Sequence, residues 1–262
     1  MLGIERDARG VATLTLDRPD ARNALSAALV ARITETLASL AADVSVRIVQ
    51  LTGAGTVFCA GADIGEMRAA GSAPRERNEE DSRRFATMLA RLERQPQPTV
   101  AIVNGAAMGG AIGLIAACDI VVAATGARFA LSEVRLGLVP AMISPYVIRA
   151  IGERQARRWC LTGEAMDAAQ ARTIGLVHET ADDASLAALA RRIADALLAG
   201  APGAQAEIKR LIRHVTGRDD AGDEALLADT SRWIARVRSG DEAREGLTAF
   251  LERRKPGWIR PE

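Results

Sequence analysis

Apolar and polar positions alternate along VATLTLDRP (11–19) and the alternation stops at a proline, as in a half-buried strand. After Ser26, a plausible helix cap, Leu29, Val30, Ile33, Leu37 and Leu40 recur at helical spacing. VRIVQLTG (46–53) predicts a second strand, which opens into the loop AGTVFCAGAD (54–63). The charge-rich stretch from about 68 to 84 reads as mobile or peripheral, and FATMLARLER (85–94) as a helix stopped by QPQP. TVAIV (99–103) predicts a short buried strand, NGAAMGG the turn leaving it, and GGAIGLIAAC a helix too apolar to have a solvated face. DIVVAA (119–124) is again a strand, and ARFALSEVRLGLVP carries a short strand and a turn. From about 144 helices dominate, broken near Gly163, Gly175, Pro202 and Gly217. Strand–helix alternation followed by a helical back third predicts an α/β core with a helical extension, in one continuous unit.

Composition narrows the function classes. The 262 residues are 48% hydrophobic and 26% charged, ordinary for a globular protein able to bury a large core. Lys plus Arg number 34 against 33 Asp plus Glu, so no global field calls for nucleic acid or an anionic membrane. No signal-peptide layout opens the chain and no apolar run is long enough to span a bilayer, which predicts a cytoplasmic location. Cys59, Cys118 and Cys160 are far apart among apolar neighbours, and are expected to be buried free thiols.

Two Gly-rich loops leave predicted strands, AGAD at 60–63 and MGG at 108–110, and each leads into a helix. Backbone N–H groups at a helix start are unpaired and sit at the positive end of its dipole. Two of them converging would form an oxyanion hole; the plainer reading is a pair of tight strand-to-helix turns. Neither loop has the glycine spacing of a dinucleotide site, and no P-loop lysine follows. Glu133, in the apolar stretch FALSEVRLGL, is either a general acid/base with a raised pKa or the partner of Arg135 or another arginine. His178 and His214 have no metal-ligand partner at a usable spacing, no other metal spacing appears, and both read as structural.

The segments LDRPDARNALS (16–26), FCAGADI (58–64), VNGAAMGGAIGLIAACDIVVA (103–123), FALSEVRLGLVP (129–140), LTGEAMDAAQARTIGLV (161–177) and AFLERRKPGW (249–258) together resemble the enoyl-CoA hydratase/isomerase family, the crotonase superfamily. The resemblance implies a crotonase-like α/β spiral of β-β-α units over residues 1–200. A helical C-terminal region, 201–262, would serve oligomerisation and active-site cover, giving homotrimers or dimers of trimers. It implies an acyl-CoA substrate and no tightly bound cofactor, coenzyme A being part of the substrate. The backbone N–H groups of Ala62 and Gly110 would hold the thioester oxygen, and Glu133 would move the proton. Arg22, Ala24, Ala60, Asp63, Ile64, Ala106, Gly113 and Lys255 would line the substrate and CoA site, with Arg22 and Lys255 near the phosphates.

One position departs from the pattern of the family's two-glutamate hydratases. Where the first glutamate would stand, this chain has Gly113. That leaves a one-glutamate hydratase, a Δ3,Δ2-enoyl-CoA isomerase, or a non-catalytic acyl-CoA-binding protein. The runs GAAMGGAIGLIAACDI and LSEVRLGLVPAMISPYVIRAIGERQARR resemble the bacterial 3-methylglutaconyl-CoA hydratase-type branch, of leucine and isoprenoid breakdown. That implies hydration of a branched acyl group with a far-end carboxylate. The carboxylate, or the space left at Gly113, would help hold the water, and Arg68 or Arg135 would pair with the carboxylate.

Overall fold

A computed structural model describes the backbone of residues 1–218 and 220–259, with their side chains apart from those of 220 and 221. The chain opens with an antiparallel hairpin of β1 (Leu2–Arg6) and β2 (Val11–Leu16). Helix α1 (Ala27–Ala42) follows. Ser26 caps it by accepting from the Leu29 N–H, and the five apolar positions predicted from the spacing are all buried.

A repeating unit then builds the core, each turn laying one strand in a large sheet, one in a small sheet, and a helix outside. The first turn is β3 (Ile48–Gly53), β4 (Val57–Cys59), α2 (Ile64–Gly71) and α3 (Arg75–Glu93). The second is β5 (Thr99–Val103), β6 (Ala106–Met108) and α4 (Gly110–Ala117). The third is β7 (Ile120–Ala124), β8 (Arg128–Ala130), a 3-10 turn at Glu133–Leu136 and α5 (Ser144–Thr162). Next come β9 (Ala165–Asp167), α6 (Ala168–Thr173), β10 (Glu179–Ala181) and α7 (Asp183–Leu198). Strand order is β1-β2-β3-β5-β7-β10 in the large sheet and β4-β6-β8-β9 in the small one, parallel except for β1/β2 and β8/β9. Each turn thus advances one place in both sheets, which is the expected spiral of β-β-α units. Helix α4 packs against α3 and α5, with Ala111, Ile112, Gly113, Leu114 and Ile115 all buried, as its lack of a polar face requires.

The last helices are α8 (Pro202–Val215), α9 (Asp220–Arg238) and α10 (Asp241–Leu251). Leu138, Ile234, Ala243 and Leu247 form a satellite core that fixes α9 and α10 over α2 and the Glu133 turn. Lys209 ties α8 to the end of β7 by pairing with Asp119 at 2.6 Å. Residues 260–262 of the expected C-terminal region lie outside the described residues.

Two local expectations are corrected, and one helix has a kink. The stretch 68–84, expected to be mobile or peripheral, is helical, forming the end of α2 and the first half of α3. Its polar residues Asn78 and Ser82 are buried because they bond to Arg238. The turn NGAAMGG contains a strand, β6, whose Ala107 is fully buried between β4 and β8. Helix α5 is kinked at Gly152, which sits at φ +75°.

Candidate active site

The two Gly-rich loops meet. Leu25 donates to the Gly61 carbonyl at 2.8 Å, and Asp63 donates to the Leu25 carbonyl at 3.1 Å, a single parallel bridge. In such a bridge the N–H of the intervening residue, Ala62, points away from the partner strand. Gly110 is the first residue of α4, so its N–H has no acceptor within the helix. Neither N–H finds an acceptor among the described residues. A Cβ built on Gly110 would lie 3.7 Å from the Ala62 nitrogen, and one on Gly61 would lie 3.4 Å from the Gly110 nitrogen. At Gly61, with φ +90°, that Cβ would also stand 2.6 Å from the Met108 carbonyl, so only glycine lets the loops approach this closely.

Glu133 reaches the same place from the third turn of the spiral. A Cβ on Gly109, the residue before the Gly110 donor, would stand 3.4 Å from Glu133 Oε1. Gly109 holds φ +52° and ψ −120°, and its N–H donates to Ala130. The glutamate is half-buried as a residue, but its Oε2 is sealed from solvent and has no hydrogen-bond partner. Burial pushes its pKa up to about 7, against a small lowering from its own backbone N–H. The salt-bridge alternative is not realised: Arg135 is exposed, and its Nε would stand 3.2 Å from a Cβ on Gly163 instead. A carboxyl of raised pKa therefore lies against Gly109, the residue before one of the two free donors.

The remaining expected residues are distributed as follows. Ala60 donates to the Arg22 carbonyl at 2.9 Å, which sets these two side by side, with the Arg22 side chain exposed. The Ala24 carbonyl accepts from Arg18, and Ala106 pairs with Val57 across β4 and β6. Asp63 caps α2 by accepting from Gly65 and Glu66, and pairs with Arg18 at 3.4 Å. Ile64 packs into the satellite core, and Lys255 lies exposed beyond α10. Gly113 is fully enclosed. A Cβ there would meet Ile143 Cγ2 at 2.3 Å and Leu89 Cδ1 at 3.3 Å. The space expected beside it for a water is filled by those two side chains, which corrects that part of the reading.

Two residues not singled out in the sequence hold the loops in place. Asn23, fully buried at φ +58°, accepts from the Arg18 N–H and donates to the carbonyls of Ala54 and Val57. Asn104 donates to the carbonyls of Gly53 and Gly55. Each sits next to a motif glycine or alanine, and asparagine's tolerance of turns is the signal that points to them. His178 accepts from the Val121 N–H through Nδ1 at the mouth of β10, a structural role. The three cysteines are free, and burial raises all three thiols. No group of His, Cys, Asp and Glu among the described residues could hold a metal ion.

Fold and site together define an α/β spiral protein with two free backbone donors close together and one buried carboxyl group of raised pKa beside them. Residues 6–261 match the family model described as enoyl-CoA hydratase/isomerase, and the chain belongs to that family. It is 34% identical over 247 residues to 2,3-dehydroadipyl-CoA hydratase of Escherichia coli, covering 94% of each chain. It is 32% identical to (E)-benzylidenesuccinyl-CoA hydratase of Thauera aromatica, covering 95% of each. The crystal structure of an enoyl-CoA hydratase from Mycobacterium avium superposes with a TM-score of 0.85 at 35% identity, over 98% of both chains. At the level of the family these likenesses support enoyl-CoA hydratase chemistry on an acyl-CoA substrate. No helix among the described residues is long and apolar enough to cross a membrane.

Proposed function

We propose that this protein adds water reversibly to a 2-enoyl-CoA through one glutamate, on a branched, 3-methylglutaconyl-like acyl group. The observation that carries the mechanism is Glu133, pushed up to about 7 and set against Gly109, beside the free N–H groups of Ala62 and Gly110. The thioester oxygen accepts from those two donors, which are in place before charge develops. The Glu133 carboxylate takes a proton from water as the water oxygen bonds to the β-carbon. The electron pair of the double bond moves towards the thioester oxygen. Glu133 then returns the proton to the α-carbon, so atoms and charge balance with one acid/base. The scheme needs no resident cofactor, since coenzyme A arrives as part of the substrate. The names of the Escherichia coli and Thauera relatives, both of dicarboxylic acyl groups, support a substrate with a far-end carboxylate.

One observation favours a second reading. Ile143 and Leu89 fill the place where a second carboxylate would act, and one carboxyl suffices for Δ3,Δ2-enoyl-CoA isomerisation. Purified protein assayed with 3-methylglutaconyl-CoA, crotonyl-CoA and a 3-enoyl-CoA separates the two. Loss of enoyl absorbance without double-bond migration is expected; migration alone would establish the isomerase, and CoA binding without turnover a silent binder. Activity retained by Glu133→Gln would refute the mechanism.

Self-association into trimers or dimers of trimers belongs to this reading. It is supported by Ile208, Leu211, Ile212 and Val215, a stripe on α8 left exposed in the single chain. Light scattering of the purified protein checks it, and a monomeric mass would overturn it. Three unpaired thiols support a reducing, cytoplasmic location.

A further inference from the structure

A buried charge outside the proton-transfer site stands at the end of α9. Arg238 is only 6% exposed. Its Nε donates to Asn78 Oδ1 at 2.9 Å, and its Nη2 donates to Asn78 Oδ1, to the Asn78 carbonyl at 3.1 Å and to Ser82 Oγ at 3.0 Å. All of these partners are neutral. No carboxylate lies within ion-pair distance of Arg238 among the described residues. Nη1 donates to no group among the described residues, and Arg238 lines the neighbouring cleft.

That cleft, about 90 Å³, lies between α1, α2 and α3, and Ala62, Met67, Asp81, Arg84 and Phe85 also line it. The other charges facing it are occupied. Asp63 is held by Arg18 and two N–H groups of α2, and Glu66 accepts from the Ala27 N–H. Asp81 lies 3.7 Å from Arg84, which also pairs with Glu80. Arg238 hydrogen-bonds to dipoles alone, and Asp81, which acts on it only from beyond ion-pair distance, is already engaged by Arg84. Burying a charge without a counter-ion is costly, and an anion admitted beside it recovers that cost.

The cleft is continuous with the chemistry. Ala62, an oxyanion donor, is part of its wall, and the Phe85 ring would stand 3.0 Å from a Cβ on Gly110. Ser82, which holds Arg238, precedes Phe85 by three residues, about 4.5 Å along the helix axis. Arg68 and Arg135, the arginines expected from sequence to meet a substrate carboxylate, are both exposed. We propose that Arg238 binds the far-end carboxylate of the acyl group, making the cleft selective for CoA thioesters of dicarboxylic acids. This rests on the acyl-CoA reading above.

The test uses two saturated, unreactive ligands, glutaryl-CoA and butyryl-CoA, with binding followed by calorimetry. The wild type is expected to bind glutaryl-CoA at least about tenfold more tightly. Arg238→Gln should abolish that preference, and Arg238→Lys should restore part of it. Equal binding of both ligands, or a preference for butyryl-CoA, overturns the proposal without any variant, so a poorly folding Arg238→Gln does not shield it. A preference for glutaryl-CoA that survives in folded Arg238→Gln overturns it too. Binding of neither ligand refutes the acyl-CoA reading itself, whereas equal binding of both refutes only the role of Arg238.

Discussion

Replacing Glu133 by glutamine separates the cost of burying a carboxylate from its use. The carboxyl's ordinary pKa of 4.5 is pushed up to about 7 in the fold, because Oε2 is sealed and unpartnered. At about 1.4 kcal/mol per pH unit, the ionised form destabilises the folded chain by about 3 kcal/mol. Below the unfolded pKa the group is protonated in both states and the penalty is absent. As pH rises from 4.5 towards about 7, the unfolded chain releases a proton that the folded chain still holds, so stability falls; above about 7 the loss is complete. Glutamine keeps the shape without the charge. The stability of the wild type minus that of Glu133→Gln should therefore drop by about 3 kcal/mol between about pH 4 and pH 8. Urea unfolding across that range, at fixed protomer concentration, measures it, and the shared titrations of other carboxylates cancel in the difference. A difference that stays flat with pH would refute the reasoning, since it would mean that the carboxylate is solvated in the fold. In the same variant kcat/KM should fall by about 10²- to 10⁴-fold, and hydration by the wild type should rise with pH through about 7 as the base form appears.

Gly109→Ala should lower kcat and cost about 1–3 kcal/mol in thermal stability, because its φ of +52° combined with ψ of −120° suits glycine alone and the added methyl crowds Glu133 Oε1. Unchanged kcat in that variant would place Glu133 outside the chemistry. Gly113→Glu should not install a second acid: with Ile143 in its path it should destabilise by about 1–3 kcal/mol, and Ile143→Ala in the same chain should recover most of that loss. Calorimetric melting of the single and double variants decides it, and a lack of rescue would mean that Ile143 is not the obstacle. Asn23→Ala should cost about 1–3 kcal/mol in urea unfolding, because it leaves the part-buried Ala54 and Val57 carbonyls without their donor. It should also loosen the loop that presents Ala62, visible as a higher KM for any acyl-CoA substrate.

The strands β2, β3, β5 and β7 and the helices α1 and α4 are legible in the chain because each carries either a period set by its buried face or an uninterrupted apolar run set by burial on all sides. The short strands β4, β6 and β8 are harder to read. At three residues each they carry no period, and they exist because their neighbours in the small sheet complete their hydrogen bonds. The polar stretch around Asn78 and Ser82 misleads for a related reason: its polarity looks like solvent exposure until Arg238, 160 residues away from Asn78, arrives to satisfy it.

The chain's local pattern was enough to mark two glycine-rich loops and one carboxylate in apolar surroundings, because backbone freedom and an isolated charge are visible one residue at a time. Whether those loops converge, and whether Glu133 stands alone or against an arginine, depended on contacts between separate turns of the spiral. Packing also closed the space at Gly113 with Ile143, and folding alone buried Arg238 among neutral hydrogen-bond partners. Burial and pairing are properties of neighbours, and neighbours far apart in sequence meet only in the folded chain.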